Sequence, residues 1–288
     1  MIDLHTHTTE SDGTLTPAEL VAAAREAGLE ALAISDHDTL VGCDQALPAA
    51  AQVGIELVCA VEVSTRLPHP AKPCGQSVHV LGYFLLRPPD DGFRRWLAQQ
   101  SESRRLRNAC LAGRLQELGF EVTLEEVTAR GGRLWGRRQF ARLLVEKGYV
   151  GSTGEAFRRY LGETGKAYVP RETASTTEAI RRISEAGGLA CLAHPGRLKI
   201  DVESAVEALR SHGLAALEVY SSDHTQAQTA FFLSLARRYQ MAVSGGSDFH
   251  GDSKPGVLLG TGRDGSLSVP RAVLEDLRHA AREKSERV

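Results

Sequence analysis

His5-Thr6-His7 places two imidazoles two residues apart near the start of the chain. On an extended strand side chains alternate with period two, so both rings fall on one face and a single metal ion can take both. Asp248-Phe249-His250 repeats that spacing far along the sequence, and between the two motifs lie Asp12, His37, Glu62, His79 and His194. Histidine nitrogens with carboxylate oxygens and no cysteine suit zinc, manganese or iron. One ion takes about four protein ligands, so this set suits two or three ions, with a carboxylate such as Glu62 bridging. A cluster of that kind activates water as a nucleophile and clamps the oxygens of a phosphoryl group displaced in line. Residue types alone leave phosphate-ester and amide hydrolysis equally open. His69, His212 and His279 fit no strand end and read as surface histidines.

The elements that must position these residues are legible as strands alternating with helices. Strands are expected at Ile2–His5, Ala31–Ser35, Glu56–Val63, Val78–Phe84, Leu189–Ala193, Leu214–Tyr220 and Met241–Ser244. Thr16-Pro17-Ala18-Glu19 reads as a capping box with proline at the first helical position, and Gly28 stops that helix. Seven strands alternating with helices predict a parallel α/β architecture, either a barrel or an open doubly wound sheet. The unusual polar residues fall at strand ends: His5 and His7, His37 after the second strand, Glu62 on the third, His194 after the fifth, and Asp248 and His250 after the seventh. In α/β barrels that face carries the active site. His79 departs from the pattern, because it lies early in its strand.

Residues 92–171 break the alternation. Pro88-Pro89-Asp90-Asp91-Gly92 is a turn-rich break, and the stretch that follows reads as mostly helical, with helices expected over 93–119, 138–147 and 155–161. This segment holds 16 Lys+Arg against 8 Asp+Glu, a balance of +8, whereas the rest holds 18 against 28, a balance of −10. A basic insertion in an acidic body suggests an anionic ligand. The chain is expected to divide into a metal-binding body, 1–91 and 172–288, and an inserted basic helical cap domain, 92–171. Hydrophobic residues make up 42% and charged residues 24% of the 288, which excludes disorder as the main state. No apolar run reaches the roughly 20 residues of a membrane helix. The N-terminus lacks a basic region and an apolar signal segment, and the five cysteines are odd in number and scattered, so a cytoplasmic protein with reduced thiols is expected.

Asp3-Leu4-His5-Thr6-His7, Ser11-Asp12-Gly13, Ser35-Asp36-His37-Asp38-Thr39, His194-Pro195-Gly196 and Gly246-Ser247-Asp248-Phe249-His250 together resemble the polymerase and histidinol phosphatase (PHP) family. The resemblance covers nearly the whole chain in the family's motif order. It is nearest to the branch acting on 3′,5′-nucleotide bisphosphates, some members of which trim RNA from its 5′ end. It implies a distorted seven-stranded (β/α) barrel with an inserted helical domain and three divalent ions, manganese before zinc, iron or magnesium. The first ion would take His5, His7, Glu62 and Asp248, the second Glu62, His79 and His194, and the third Asp12, His37 and His250. Asp12 stands where some relatives have histidine.

The branch usually shows Arg-x-His-Phe at the start of a helix in the insertion. Here the run is Gly136-Arg137-Arg138-Gln139-Phe140, so Arg137 matches the phosphate-binding arginine and Gln139 replaces the histidine. Glutamine donates a hydrogen bond but supplies neither a proton nor a charge. Arg138, Lys166, Tyr168 and Arg197 are further expected substrate contacts. Glu62 and Asp248 are expected at the reacting centre, and His224, past the sixth strand, is the candidate acid for the leaving ribose oxygen. The reading is a metal-dependent phosphoesterase in which a hydroxide held between ions attacks the 3′-phosphate of a nucleotide bisphosphate. A 5′-to-3′ exoribonuclease on short RNA and a non-catalytic metal-binding module are the alternatives. No membrane and no obligate protein partner are expected.

Overall fold

Ile2, Leu4, Ala31, Ala33, Leu32 and Ile34 are all fully buried, so the first two strands are covered on both faces, as a parallel sheet under helices must be. The computed structural model describes residues 1–128, 133 and 135–286. In it β1 (Ile2–Thr6), β2 (Ala31–Ile34), β3 (Glu56–His69), β4 (Lys72–Phe84), β5 (Leu189–Leu192), β6 (Leu214–Ser221) and β7 (Ala242–Gly246) form one sheet in chain order. The strand following β7 in space is β1. Asp248 N–H donates to His5 C=O at 2.8 Å and His7 N–H to Phe249 C=O at 2.9 Å, which curls the sheet into a distorted seven-stranded barrel.

One expectation needs correction: the sheet is not wholly parallel. β3–β4 and β4–β5 are antiparallel, and the other neighbouring pairs are parallel. A parallel return needs a crossover of a dozen or more residues, usually helical. Residues 64–77 instead lengthen both strands of a hairpin that closes at His69 and Lys72.

The helices α1 (Pro17–Glu26), α2 (Val41–Val53), α7 (Thr176–Glu185), α8 (Val202–Arg210), α9 (Gln226–Arg238) and α10 (Arg271–Glu286) surround the sheet. Thr16 and Glu19 form the expected capping box of α1. Alternate residues of β3 (Val58, Ala60) pack with Leu81, Tyr83, Cys191 and with Leu274 and Leu277 of α10. The intervening set (Val61, Val63, Val80, Leu192) packs with Ile180, Ile183 and Leu235. Glu62 continues the first series by period two, so it leaves the apolar fill at the end of the barrel where the loops gather.

Between β4 and α7 run α3 (Asp91–Glu117), α4 (Leu124–Thr128), α5 (Arg137–Glu146) and α6 (Thr153–Ala156), the last continuing into a π-turn over Phe157–Leu161. α3 has 27 residues, about 40 Å of helix. Its first turns (Phe93, Trp96, Leu97) join the barrel core, and its later turns (Leu111, Ala112, Leu115) join a separate apolar cluster with Phe140, Leu143, Leu144 and Leu161. Among the described residues no helix is long and apolar enough to cross a membrane.

Candidate active site

Three groups of ligand-type atoms share the loop end of the barrel. In the first, His5 Nε2 lies 3.3 Å from Glu62 Oε2 and 3.5 Å from Asp248 Oδ1, and His7 Nε2 lies 3.2 and 3.4 Å from the same two atoms. In the second, Glu62 Oε1 meets His79 Nδ1 and His194 Nε2, each at 2.8 Å, while His37 Nδ1 lies 3.2 Å from Glu62 Oε2. In the third, Asp12 Oδ1 lies 3.2 Å from His250 Nε2, 3.9 Å from His37 Nε2 and 3.8 Å from His7 Nδ1. The structure therefore brings together all the sequence-derived ligand candidates. His37 faces the second group as well as the third, and His7 faces the third as well as the first.

The reversal of β4 accounts for His79. In a strand antiparallel to its neighbours the early residues lie at the face where the others end, and His79 pairs in register with Ser64, just beyond Glu62. The loops at this face are strained. Asp38, His194 and Asp248 have φ of 54°, 29° and 55°, a region L side chains rarely adopt and one that clusters at functional sites. Gly13 serves the same face: a Cβ there would stand 2.4 Å from His7 C=O, so the loop carrying Asp12 folds back onto the strand only with glycine. Asp36 fixes that loop from below by accepting Thr8 N–H, Thr8 Oγ1 and Ser11 Oγ at 2.5–2.7 Å.

The residues fit divalent cations. His5 Nε2, His7 Nε2, His37 Nδ1 and Asp12 Oδ1 are buried and, among the described residues, make no hydrogen bond. Buried polar atoms are ordinarily satisfied, and nitrogens and carboxylate oxygens pointing into common space form the donor set of a metal site. The imidazoles also cannot share charge evenly, since the His7 ring lies 4.0 Å from His250 and 4.7 Å from His37. Burial opposes charge on His7, but the carboxylates of Asp248 and Glu62 close to its Nε2, with that of Asp12, raise it to about 9. At His37 burial prevails over Glu62 and Asp12 and pushes the ring down to about 3.

A cavity of about 460 Å³ opens over this cluster. Its opposite wall comes from residues 92–171 and the hairpin, and it is cationic: Arg66, Arg104, Arg107, Arg137, Arg138 and Arg171 line it. Arg137 stands between the rings of Phe157 and Tyr168, 5.9 and 5.7 Å from their centroids, and donates to Leu161 C=O at 3.1 Å. Gln139 also lines the cavity, with its Oε1 accepting Gly136 N–H at 3.0 Å as the capping partner of α5. Burial, then the charges of Arg104, Arg137 and Arg171, lowers Arg107 to about 9.

Three expected contacts have other surroundings. Lys166 is exposed and lies outside the cavity lining. Arg197 lines the cavity, but its guanidinium is already shared between Asp223 and Asp248. His224, the candidate acid, does not line the cavity: its Nδ1 donates to Val219 C=O at 2.8 Å, and its Nε2 accepts Gly196 N–H at 3.1 Å. Both nitrogens are spent holding the loop after His194.

The expected cation pattern missed Arg104, Arg107 and Arg171, which sit in the basic segment without a motif around them. It also missed Lys254, whose Nζ lies 2.7 Å from Asp248 Oδ2. Glu218, fully buried on β6 and 2.8 Å from His5 Nδ1, was missed as well. Its signal was a lone carboxylate in the apolar run Leu-Ala-Ala-Leu-Glu-Val-Tyr.

The PHP domain model matches residues 3–121. A 5′-3′ exoribonuclease of Haemophilus influenzae is 34% identical over 251 residues, covering 86% of this chain and 89% of the relative. The chain belongs to the PHP family. Another relative of this PHP protein, a 3′,5′-nucleoside bisphosphate phosphatase of Chromobacterium violaceum, is 33% identical over 275 residues, covering 91% of this chain and 92% of the relative. A solved structure of an amidohydrolase from Chromobacterium violaceum, with bound sulfate and no metal, superposes with a TM-score of 0.82 at 30% identity, covering 97% of this chain and 96% of that one. This PHP protein is thus a metal-dependent phosphoesterase of α/β barrel fold.

Proposed function

We propose that this enzyme removes the 3′-phosphate from 3′,5′-nucleotide bisphosphates. The carrying observation is one cavity with two chemically different walls, ligand-type carboxylates and imidazoles that would hold cations on one side and arginines on the other. A substrate with two phosphates uses both: the reacting phosphate at the cluster, the other against the arginines. Residues 1–91 and 172–288 form the metal-binding barrel in this reading, and 92–171 form an inserted helical cap domain that holds the part of the substrate that does not react. The cavity volume lies in the range of single small-molecule sites, which favours one nucleotide unit over several.

His5, His7, Glu62 and Asp248 would hold one divalent ion, Glu62, His79 and His194 a second, with His37 adjacent, and Asp12, His37 and His250 a third. Manganese is the first choice. Bound ions supply an activated water and positive charge for the phosphoryl oxygens. The chain supplies the rest. Arg137, stiffened between two rings, presents a planar fork to a phosphate. The Gln139 oxygen is engaged by the helix cap, and among the described residues its amide N–H groups make no hydrogen bond. Arg197 and Lys254 bind Asp248 Oδ2 and so hold Oδ1 toward His5 and His7. With His224 engaged, no side chain of this set is assigned as the acid.

A second reading, 5′-to-3′ cleavage of short RNA, is supported by Phe157 and Tyr168 in the arginine wall, since aromatic faces in a basic groove stack bases. One assay separates the readings. Manganese-loaded protein is offered 3′,5′-bisphosphorylated nucleotides, short 5′-phosphorylated RNA and histidinol phosphate. The proposal expects the highest kcat/KM on the bisphosphate; preference for RNA replaces it with the second reading, and turnover of none supports a non-catalytic module.

A further inference from the structure

A fully buried carboxylate on a central strand is costly unless every lone pair has a partner. Glu218 of β6 is such a group, and its two oxygens go to two different places in the site. Oε1 lies 2.8 Å from His5 Nδ1, and Oε2 accepts the backbone N–H of His194. Among the described residues no hydrogen bond or ion pair joins it to Asp12, His37 or His250.

Each contact fixes a ligand-type nitrogen. A carboxylate beside Nδ1 holds a proton there, which leaves Nε2 of His5 as the nitrogen open to an ion. That nitrogen makes no hydrogen bond and faces Glu62 and Asp248 at 3.3 and 3.5 Å. His194 sits at φ 29° and ψ 58°, a conformation its own backbone resists, and its ring delivers Nε2 to Glu62 Oε1 at 2.8 Å. A bond from Glu218 to the His194 amide opposes relaxation of that strain. We propose that Glu218 is a positioning residue for two metal positions at once, setting the His5 tautomer at the first and the strained His194 backbone at the second, while leaving the third untouched.

The inference rests on the metal reading of the site, and its test separates the two. Metal-free wild type and Glu218→Gln are titrated with Mn2+ and their thermal unfolding compared. Glutamine keeps the shape, but it offers one acceptor and one NH2 where two donors must be met. The expected result is three ions on wild type and, in Glu218→Gln, roughly 10–100-fold weaker binding of two ions with the third unchanged, as for other residues that orient metal ligands. The metal-free melting temperature should move by a few degrees only. Unchanged affinities, or an equal fall in all three, overturn the assignment. Fewer than two ions on wild type overturns the metal reading itself. If Glu218→Gln does not fold, the wild type still decides through 15N NMR of the His5 ring in the Zn2+-loaded protein: Zn2+ held through Nδ1 is incompatible with the proposal, and Zn2+ held through Nε2 with the proton on Nδ1 supports it.

Discussion

Arg104 Nη2 donates to Asp38 Oδ2 at 2.8 Å, and that carboxylate is completely buried. Arg171 reaches the same oxygen at 3.0 Å from the far end of the helical segment. One carboxylate beside His37 therefore ties the middle of α3 and the last residue of 92–171 to the barrel. Ser101 Oγ reinforces the tie by donating to Asp38 C=O at 2.8 Å.

The asymmetry of this arrangement is testable. Removing Asp38 leaves two buried guanidiniums without their anion, whereas removing Arg104 leaves Asp38 still paired with Arg171. Losing one partner of a buried ion pair costs roughly 3–5 kcal/mol. Asp38→Ala should reach that range and Arg104→Ala should fall clearly below it, by denaturant unfolding of the metal-free proteins. Equal losses would mean that Arg171 does not share the carboxylate.

Arg137→Ala should lower kcat/KM on a 3′,5′-bisphosphorylated nucleotide by an amount equivalent to roughly 1.5–3 kcal/mol, the worth of a charge-assisted contact. Arg137→Lys should restore only part, because an ammonium lacks the planar fork and stacks poorly between Phe157 and Tyr168. If the alanine variant matches wild type on every nucleotide tested, Arg137 has only a packing role.

Stability of the metal-free protein should peak near neutral pH. His7 is raised from an ordinary value of about 6.5 to about 9. Its contribution is complete below about pH 6.5 and is lost as pH rises toward 9. His37, pushed down to about 3, stabilises above about pH 6.5 and loses that contribution as pH falls. Metal affinity should climb over the upper window, because an ion displaces the His7 proton. Melting temperature and Mn2+ titration across pH 5–9 check both slopes; a melting temperature still rising between pH 7 and 9 with chelator present contradicts the His7 assignment.

Much of this site is legible in the sequence because its ligands sit at fixed offsets from strand ends. His5 and His7 share a face by period two, and Asp248 and His250 come together through the turn after β7. The reversed strand was not legible. Residues 64–77 carry no helix and no strong hairpin signal, so only the paired register shows that His79 lies at the same end as Glu62. Partners of charged side chains were hidden for another reason. Arg104 and Asp38 are 66 residues apart, and Glu218 and His5 are 213 apart. No local pattern encodes such distances, so the sequence singles out Lys166 and His224 and passes over Arg107 and Lys254.

Glu62→Ala should remove activity and ion content together. Oε1 faces His79 and His194, and Oε2 faces His5, His7 and His37, so in the proposed metal arrangement one side chain would serve two ion positions. Elemental analysis after reconstitution should show the loss of at least one ion per chain relative to wild type. Lost turnover at an unchanged count would instead make Glu62 a base.

Gln139 stands where the branch usually has histidine, and its oxygen is already bound to Gly136 N–H at 3.0 Å. What remains toward the cavity is an amide donor. If the usual histidine acts mainly by donating to a phosphate, Gln139 does the same and Gln139→His should change kcat little. It should also cost some helix stability, because the capping bond at the start of α5 is lost or weakened, typically by about 1 kcal/mol. If the histidine supplies a proton, Gln139→His should raise kcat toward the 10²–10⁴-fold of general acid catalysis, with a new limb near pH 6.5. We expect the first outcome. Arg138 beside it and Arg107 and Arg137 in the same wall already provide charge, and further cations would depress an imidazolium at this position. The pH–rate profiles of wild type and Gln139→His on one 3′,5′-bisphosphorylated nucleotide decide it. A gain above tenfold with the new limb would show that the wild-type wall lacks a proton donor its preferred reaction needs, and would point to a different natural substrate.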